Sequence, residues 1–329
     1  MLALIPVALR AATLLQLTAA HPCDGTTRAR LLAPATPGDD AITLDCSVTL
    51  GPRDVVGRRV ILEGRGASGV ELACNGATIR PAVPPRDFTV LTLEIRSVPA
   101  PPGSDGAPRW DRPEGATIQG CRIEGSVRVW GMGLNGQGAA VRASSHALGH
   151  TERAQAAAPS RISLLDSTIT GSVGIPLYLA PGVTGFTLRG STIRGTSPSV
   201  ALYLDAESGG NTIEGNTFDV DTRREVIAVD GSADNRIVGN TIALRGERGI
   251  DLYRNCGEGG TVRHQTPSRN TITGNRFRYL AQARPTPIKV GSRGGWGLNC
   301  YQDRGYPFGS SLDNDDLATD NVVAPNSVE

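Results

Sequence analysis

The chain has 329 residues, and its 33 Lys and Arg stand against 32 Asp and Glu, a formal charge of +1. That balance excludes a global field able to recruit nucleic acid or an anionic membrane, so charge recognition has to be local. Forty-one Gly and 22 Pro against five Phe, three Trp and two Met describe many turns around small and β-branched side chains, which points to an all-β protein and away from helical seams.

In chain order, residues 1–20 come first. They are mostly apolar, end in small residues and precede the polar His21-Pro22-Cys23-Asp24, so they read as an export signal cleaved near Ala20, although Arg10 interrupts the apolar run and no basic residue stands beside Met1. No later apolar run approaches the roughly 20 residues of a membrane helix, so the expected product is soluble, free of the membrane, and secreted or periplasmic. All six cysteines lie beyond this segment, which in an exported chain suggests up to three disulfides; none stand at the CxxC spacing of a zinc site. Sequence does not dictate the pairing. The pairs expected are Cys23–Cys46, Cys74–Cys121 and Cys256–Cys300.

Residues 21 to about 64 are expected to close the N-terminal end, and 81–113 and 131–159, rich in Pro, Ala and Gly, read as mobile insertions. A repeat emerges around them. Weak copies at 118–123, 164–169 and 188–193 lead to Asn211-Thr-Ile-Glu-Gly-Asn-Thr-Phe218, Asn235-Arg-Ile-Val-Gly-Asn-Thr-Ile242, Asn270-Thr-Ile-Thr-Gly-Asn-Arg-Phe277 and a degenerate Asn321-Val-Val-Ala-Pro-Asn-Ser-Val328. With the last apolar residue as marker, Ile169, Ile193, Phe218 and Ile242 stand 24, 25 and 24 residues apart, one turn of a coil with three short strands. Apolar and polar residues alternate at period two within each strand, and Gly and Asn supply the turns between strands. Asn216, Asn240 and Asn275 hold one repeat position, so stacking at ~4.8 Å lets their amides bond as a ladder.

This NxIxGNxI/F grammar resembles the parallel β-helix repeat proteins of the pectin-lyase-like superfamily, including the NosD-like and the carbohydrate-binding and sugar-hydrolase groups. The resemblance is good over 160–275 and extends over 62–328. It implies an all-β, right-handed, single-stranded parallel β-helix with about 24–25 residues per rung. One domain would then cover 21–329, with regular rungs over about 160–277 and a C-terminal loop and cap over about 278–329.

A second strand follows each marker. Setting Leu202, Ile227, Ile250 and Ile288 in register makes Leu204, Val229, Leu252 and Val290 a second inward column. Tyr178, Tyr203, Ala228, Asp251 and Lys289 must then point outward, beside Asp205, Asp230, Tyr253 and Gly291. Two gaps interrupt the period: Ile242 to Phe277 is 35 residues, with its polar surplus at 255–268, and Phe277 to Val328 is 51, room for an extra rung or for a long loop holding Trp296, Cys300, Tyr301 and Tyr306.

The outward face beside these insertions gathers the candidate site. One reading is β-elimination or C5 epimerisation on a uronate polymer, which must neutralise the sugar carboxylate, remove the C5 proton and protonate the leaving oxygen. Arg254 and Arg293 suit neutralisation, with Ca²⁺ on Asp205 and Asp230 as an optional aid; Lys289 or His264 suits the base, Tyr253 the acid, and Asp251 stands beside them. Tyr203, Asp205, Glu207, Arg224, Asp230, Glu258, Arg263 and Arg293 would bind substrate. A second reading is glycoside hydrolysis by paired Asp, for which carboxyls ~5–5.5 Å apart suit a retaining mechanism and ~6.5–9.5 Å an inverting one, and stacked strands can offer either. The face is similar in kind to the multi-Asp centre of β-helix polygalacturonases, but their Asn-Thr-Asp and Gly-His-Gly motifs are absent. A third reading is a glycan-binding or structural β-helix without turnover, because a stacked sheet is a rigid ruler for an extended chain. The expected partner is an acidic polysaccharide, no cofactor is required, and a monomer suffices.

Overall fold

The computed structural model describes residues 20–87, 90–104, 106–256, 258–291, 306 and 317–329. Their strands form three parallel sheets of nine, eight and nine strands, besides one short antiparallel pair. Neighbours in each sheet come from consecutive turns of one coil. The first sheet runs Ala41–Thr43, Arg59–Glu63, Leu93–Arg96, Val127–Trp130, Leu177–Leu179, Leu202–Leu204, Ile227–Asp230, Ile250–Tyr253 and Ile288–Val290. The result is a parallel β-helix, right-handed as parallel crossovers are.

The apolar markers set the stacking. Ile123, Ile169, Ile193, Phe218, Ile242, Phe277 and Val328 pair in one continuous column, and all but Val328 are buried. Phe277 pairs directly with both Ile242 and Val328, so neither long gap adds a rung to this sheet. In the first sheet Leu202, Ile227, Ile250 and Ile288 stand in the expected register.

Two asparagine ladders run beside the core. Asn216, Asn240, Asn275 and Asn326 are linked by Nδ2-to-Oδ1 bonds of 2.9, 2.9 and 3.0 Å, and Asn211, Asn235, Asn270 and Asn321 by bonds of 2.9, 2.8 and 3.1 Å. Each Oδ1 also accepts the backbone N–H of the Asn one turn earlier, as Asn240 does from Asn216 at 2.9 Å. The Gly before each of the first three Asn of the first ladder (Gly215, Gly239, Gly274) has φ between 65° and 68°, a left-handed bend that a β-carbon resists. Asn240→Ala removes one acceptor from two buried donors of Asn216. We expect a loss on the order of 2–3 kcal/mol, since an orphaned buried donor costs about 1–3 kcal/mol. Urea unfolding followed by circular dichroism measures it, and a loss below about 0.5 kcal/mol would mean that the ladder is incidental.

At the N-terminal end, α1 (Gly25–Leu32) starts at Asp24, whose Oδ1 accepts from the Thr27 N–H at 2.7 Å, and buries Leu31 against the core. Cys23–Cys46 ties this cap down, and Cys74–Cys121 joins two early turns. Coil strands begin at Ala41, so the stacking starts well before the cap was expected to end and far before 160. Cys256 is also disulfide-bonded; Cys300 lies outside the described residues, as do most of the export segment and Trp296 and Tyr301.

The insertions read as mobile are folded. Residues 81–113 supply the Leu93–Arg96 strand and an antiparallel pair, Val98–Ala100 with Arg109–Asp111. Residues 131–159 form α2 (Ala139–Ser145) and α3 (His150–Ala157). The Arg153 guanidinium closes the turn between them by donating to the carbonyls of Ser144, Ala147 and Leu148. α3 rests on the coil at Gly182, where a β-carbon would lie 2.2 Å from the Ala154 carbonyl oxygen. No described helix is long and apolar enough to cross a membrane.

Candidate functional site

The α2–α3 pair and the 255–268 loop meet over the outer face of the first sheet. Arg142 Nη1 donates to Gly259 O at 3.0 Å, His146 Nε2 to Gly260 O at 2.6 Å, the Val262 N–H to Ser145 Oγ at 2.9 Å, and His264 Nε2 to Ser145 O at 2.7 Å. His146 also stacks on Tyr306 at 4.8 Å. Under this cover the outward column, read from sequence as solvent-facing, is buried: Tyr178, Ala180, Val200, Tyr203, Ala228 and Tyr253 form a second apolar cluster outside the coil.

Within the cover lies a polar cavity of about 220 Å³, lined by Asn135, Gly136, Gln137, Tyr178, Tyr203, Arg224, Asn255 and Arg263. The stacked turns align the two tyrosines in register, and their rings lie 5.2 Å apart. Tyr178 donates its hydroxyl hydrogen to Asp205, and Tyr203 donates to Asp230 Oδ2 at 2.5 Å. Arg263 Nη1 stands 2.5 Å from Asp205 Oδ1 and 3.5 Å from Asp230 Oδ2. Those two oxygens are therefore within about 6 Å of each other, near the spacing of a retaining carboxyl pair. Asp205 also accepts from the Ala206 N–H at 2.8 Å, and Asp230 from the Asn255 N–H at 2.6 Å.

Burial decides the protonation states. It pushes both phenols well up, with the charges of Asp205 and Asp230 adding to the shift for Tyr178 and Tyr203 respectively, so each phenol keeps its proton at neutral pH. Burial also raises Asp230 against the opposing pull of Arg263, and it raises Glu207.

Of the candidates, Tyr203, Asp205, Asp230, Arg224 and Arg263 come together here, and the proposed bases do not join them. His264 donates its backbone N–H to Glu207 Oε1 at 2.7 Å while its ring holds Ser145. Glu207 is buried, accepting also from Thr151 and from the Gln265 N–H. Lys289 pairs in register with Asp251, which Arg248 Nε grips at 2.7 and 2.9 Å. Tyr253 is buried between Arg224, at 2.8 Å, and Glu225, at 2.9 Å. Arg254 is buried and does not line the cavity. Glu258 opens the Glu258–Gly260 turn, and Arg293 lies outside the described residues. Calcium does not fit Asp205 and Asp230, because the Arg263 guanidinium stands between the carboxylates and their remaining bonds come from hydroxyls and N–H groups.

Sequence reasoning missed Arg128, whose guanidinium lies over the Tyr178 ring at 4.3 Å. Extending the outward column one turn back, through Val127-Arg-Val-Trp130, would have found it. Gly136 and Gln137 carried no signal in an insertion read as mobile.

The family described as a right-handed β-helix region matches residues 109–293. The chain belongs to the right-handed β-helix family. No curated protein matches its sequence. Among solved structures it is similar to an alginate lyase from Paenibacillus sp. str. FPU-7, at 12% identity over 76% of this chain and 87% of that one with a TM-score of 0.35. The Streptococcus pneumoniae surface protein and adhesin PfbA matches at 8% identity over 77% and 80%, TM-score 0.41. The A-module of an Azotobacter vinelandii mannuronan C-5 epimerase matches at 12% over 87% and 89%, TM-score 0.31.

The cover of this β-helix protein is acid-sensitive by construction. Burial, then the charges of His264, Arg153 and Arg263, push the His150 imidazole down to about 3. An unfolded histidine titrates near 6.5, so over that window the unfolded chain binds a proton that the fold refuses. Stability from this group is complete above about pH 6.5 and falls as pH drops toward 3, by up to about 1.4 kcal/mol per pH unit. Melting temperatures from pH 7 to 4 should fall for the wild type and fall less steeply for His150→Gln. Equal slopes would contradict it.

Proposed function

We propose that this protein acts outside the cytoplasm, secreted or periplasmic, on an acidic polysaccharide, and that the cavity holds one uronate residue for lyase or C5-epimerase chemistry. The observation that carries the reading is the pair of tyrosine–aspartate hydrogen bonds bridged by Arg263, facing a polar cavity that Arg224 also lines. Two disulfides support the address.

Arg263 and Arg224 suit the sugar carboxylate, and the amides of Asn135, Gln137 and Asn255 suit its hydroxyls. Pairing that carboxylate makes the C5 proton acidic. Tyr203 receives this proton while its own phenolic hydrogen moves along the 2.5 Å bond to Asp230, whose burial favours protonation. The C5–H electron pair becomes the C4–C5 double bond, the C4–O bond breaks, and the leaving oxygen takes the hydrogen of Tyr178. Water then carries a proton from the Tyr203–Asp230 pair back to Tyr178. This arrangement replaces Lys289, His264 and Tyr253 in the roles first given to them. The spacing of Asp205 and Asp230 supports paired-Asp hydrolysis as the second reading, but neither carboxylate lines the cavity.

Alginate, polygalacturonate and glycosaminoglycans are the substrates to test. Ultraviolet absorbance of unsaturated uronate reports elimination, deuterium uptake at C5 reports epimerisation, and new reducing ends without absorbance report hydrolysis. Elimination or deuterium uptake on at least one polymer is expected. Neither on any of them contradicts the proposal.

A further inference from the structure

We infer that the site is single-ended: the cavity takes the reducing-end sugar of a chain, the next sugars, joined through its C4 oxygen, lie in a groove beyond Arg224, and a chain cannot pass through. This inference rests on the function proposed above. A second space of about 610 Å³ is lined by residues that include Arg223, Arg224, Glu225, Arg245, Arg248 and Pro285. Arg224 lines both spaces, so they are neighbours across one side chain. Their sizes differ in a telling way. Drug-sized ligands need roughly 300–1,000 Å³, so the 220 Å³ cavity suits one ring with its substituents and the groove suits a short oligosaccharide.

Contacts among the described residues narrow the cavity on several other sides. Beyond the ends of the first-sheet strands, Gln265 Nε2 donates to Ser208 O at 2.7 Å and Gly231 O at 2.8 Å, and Gln155 Nε2 to Glu207 O at 2.9 Å, which stitches the loop and α3 onto the coil. Above, the backbone at Gly136 sits against the floor: a β-carbon there would lie 2.6 Å from Arg263 Nη2 and 3.2 Å from Asp205 Oδ2, leaving no thickness for a second sugar. Toward the N-terminal turns, Arg128 covers Tyr178 and Trp130 packs against the same cluster. Toward the C-terminal turns, Ala228 and Tyr253 are fully buried. On the side of Arg224 the cavity adjoins the groove, since that side chain lines both.

The groove sets four arginines against the carboxylates of Asp221, Glu225 and Glu247, a surplus of one cation for an acidic sugar. Arg245 and Arg248 are held by Asp219 and Asp251, whereas Arg223 is exposed and has no ion-pair partner among the described residues. Arg223 is therefore the cation best placed for a second or third uronate.

The test is binding stoichiometry, which does not require turnover. Two uronate polymers of one composition, differing several-fold in length, are titrated calorimetrically into the full protein. End recognition saturates at one protein per chain for both lengths. A number of bound proteins that grows with chain length overturns the inference while leaving the proposed function standing. Absence of binding to either polymer removes the proposed function and the inference with it. Arg223→Ala supplies the second arm: it should weaken binding of a uronate trimer about tenfold, about 1.4 kcal/mol, and leave a monomer unaffected. Equal loss for monomer and trimer, or no loss for either, contradicts the groove as the path of the chain.

Discussion

Arg263→Leu is expected to destabilise the protein by about 3–5 kcal/mol and to abolish uronate binding, because it strips a shared cation from two buried carboxylates. Asp205 and Asp230 are 1% and 0% exposed, and Arg263 Nη1 reaches both. Neither carboxylate can rehydrate without lifting the cover. Burial already raises Asp230, and removing the guanidinium raises it further. A carboxyl whose folded pKa lies above its unfolded value contributes fully to stability below the unfolded value, and the contribution is lost as pH rises through the folded one. The deficit of Arg263→Leu should therefore shrink on going from pH 7 toward pH 4. The double variant Asp205→Asn with Arg263→Leu should recover part of the loss, since it no longer leaves both charges bare. Urea unfolding at two pH values checks both expectations. A pH-independent deficit would mean that Arg263 matters through packing alone.

Tyr203→Phe is expected to leave folding within about 1 kcal/mol of the wild type and to lower turnover by about 10²–10⁴, the usual range for a lost proton-transfer group. The ring keeps its place against Tyr178, and only the hydroxyl that reaches Asp230 is deleted. Loss of kcat with little change in KM would assign Tyr203 to proton transfer; a rise in KM alone would make it a binding group and contradict the role proposed. Tyr178→Phe offers the matching comparison, through Asp205.

The coil was legible because its physics is local and periodic. Alternation at period two fixed the columns Leu202, Ile227, Ile250, Ile288 and Tyr203, Ala228, Asp251, Lys289, and the pairings fall on those residues. The NxIxGNxI/F grammar carried both asparagine ladders, although only one was read as such. The site was legible in part: Tyr203, Asp205, Asp230, Arg224 and Arg263 were chosen as substrate-binding residues, and they do gather at one cavity. Their surroundings were not legible. Alternation says that a side chain points out of the coil, but not whether water or protein lies there. The cover comes from Ala139-Ala-Val-Arg-Ala-Ser-Ser145 and His150–Ala157, which bury only Val141 and Ser145, and His150, Ala154 and Ala157. Such short helices show too weak an apolar stripe to be separated from a flexible insertion. Lys289 and His264 fall outside the cavity lining for a related reason. Column position told which face each residue occupies, but Lys289 lies three turns beyond Tyr203, and the His264 ring holds the cover at Ser145.

A crystal structure of the Tyr203→Phe protein soaked with a short uronate oligosaccharide would show directly where the sugar binds. One sugar ring is expected in the cavity with its carboxylate within hydrogen-bond reach of Arg263 and Arg224, and the remaining sugars extending past Arg224 toward Arg223. An oligosaccharide bound elsewhere on the coil, with the cavity holding only water, would contradict it.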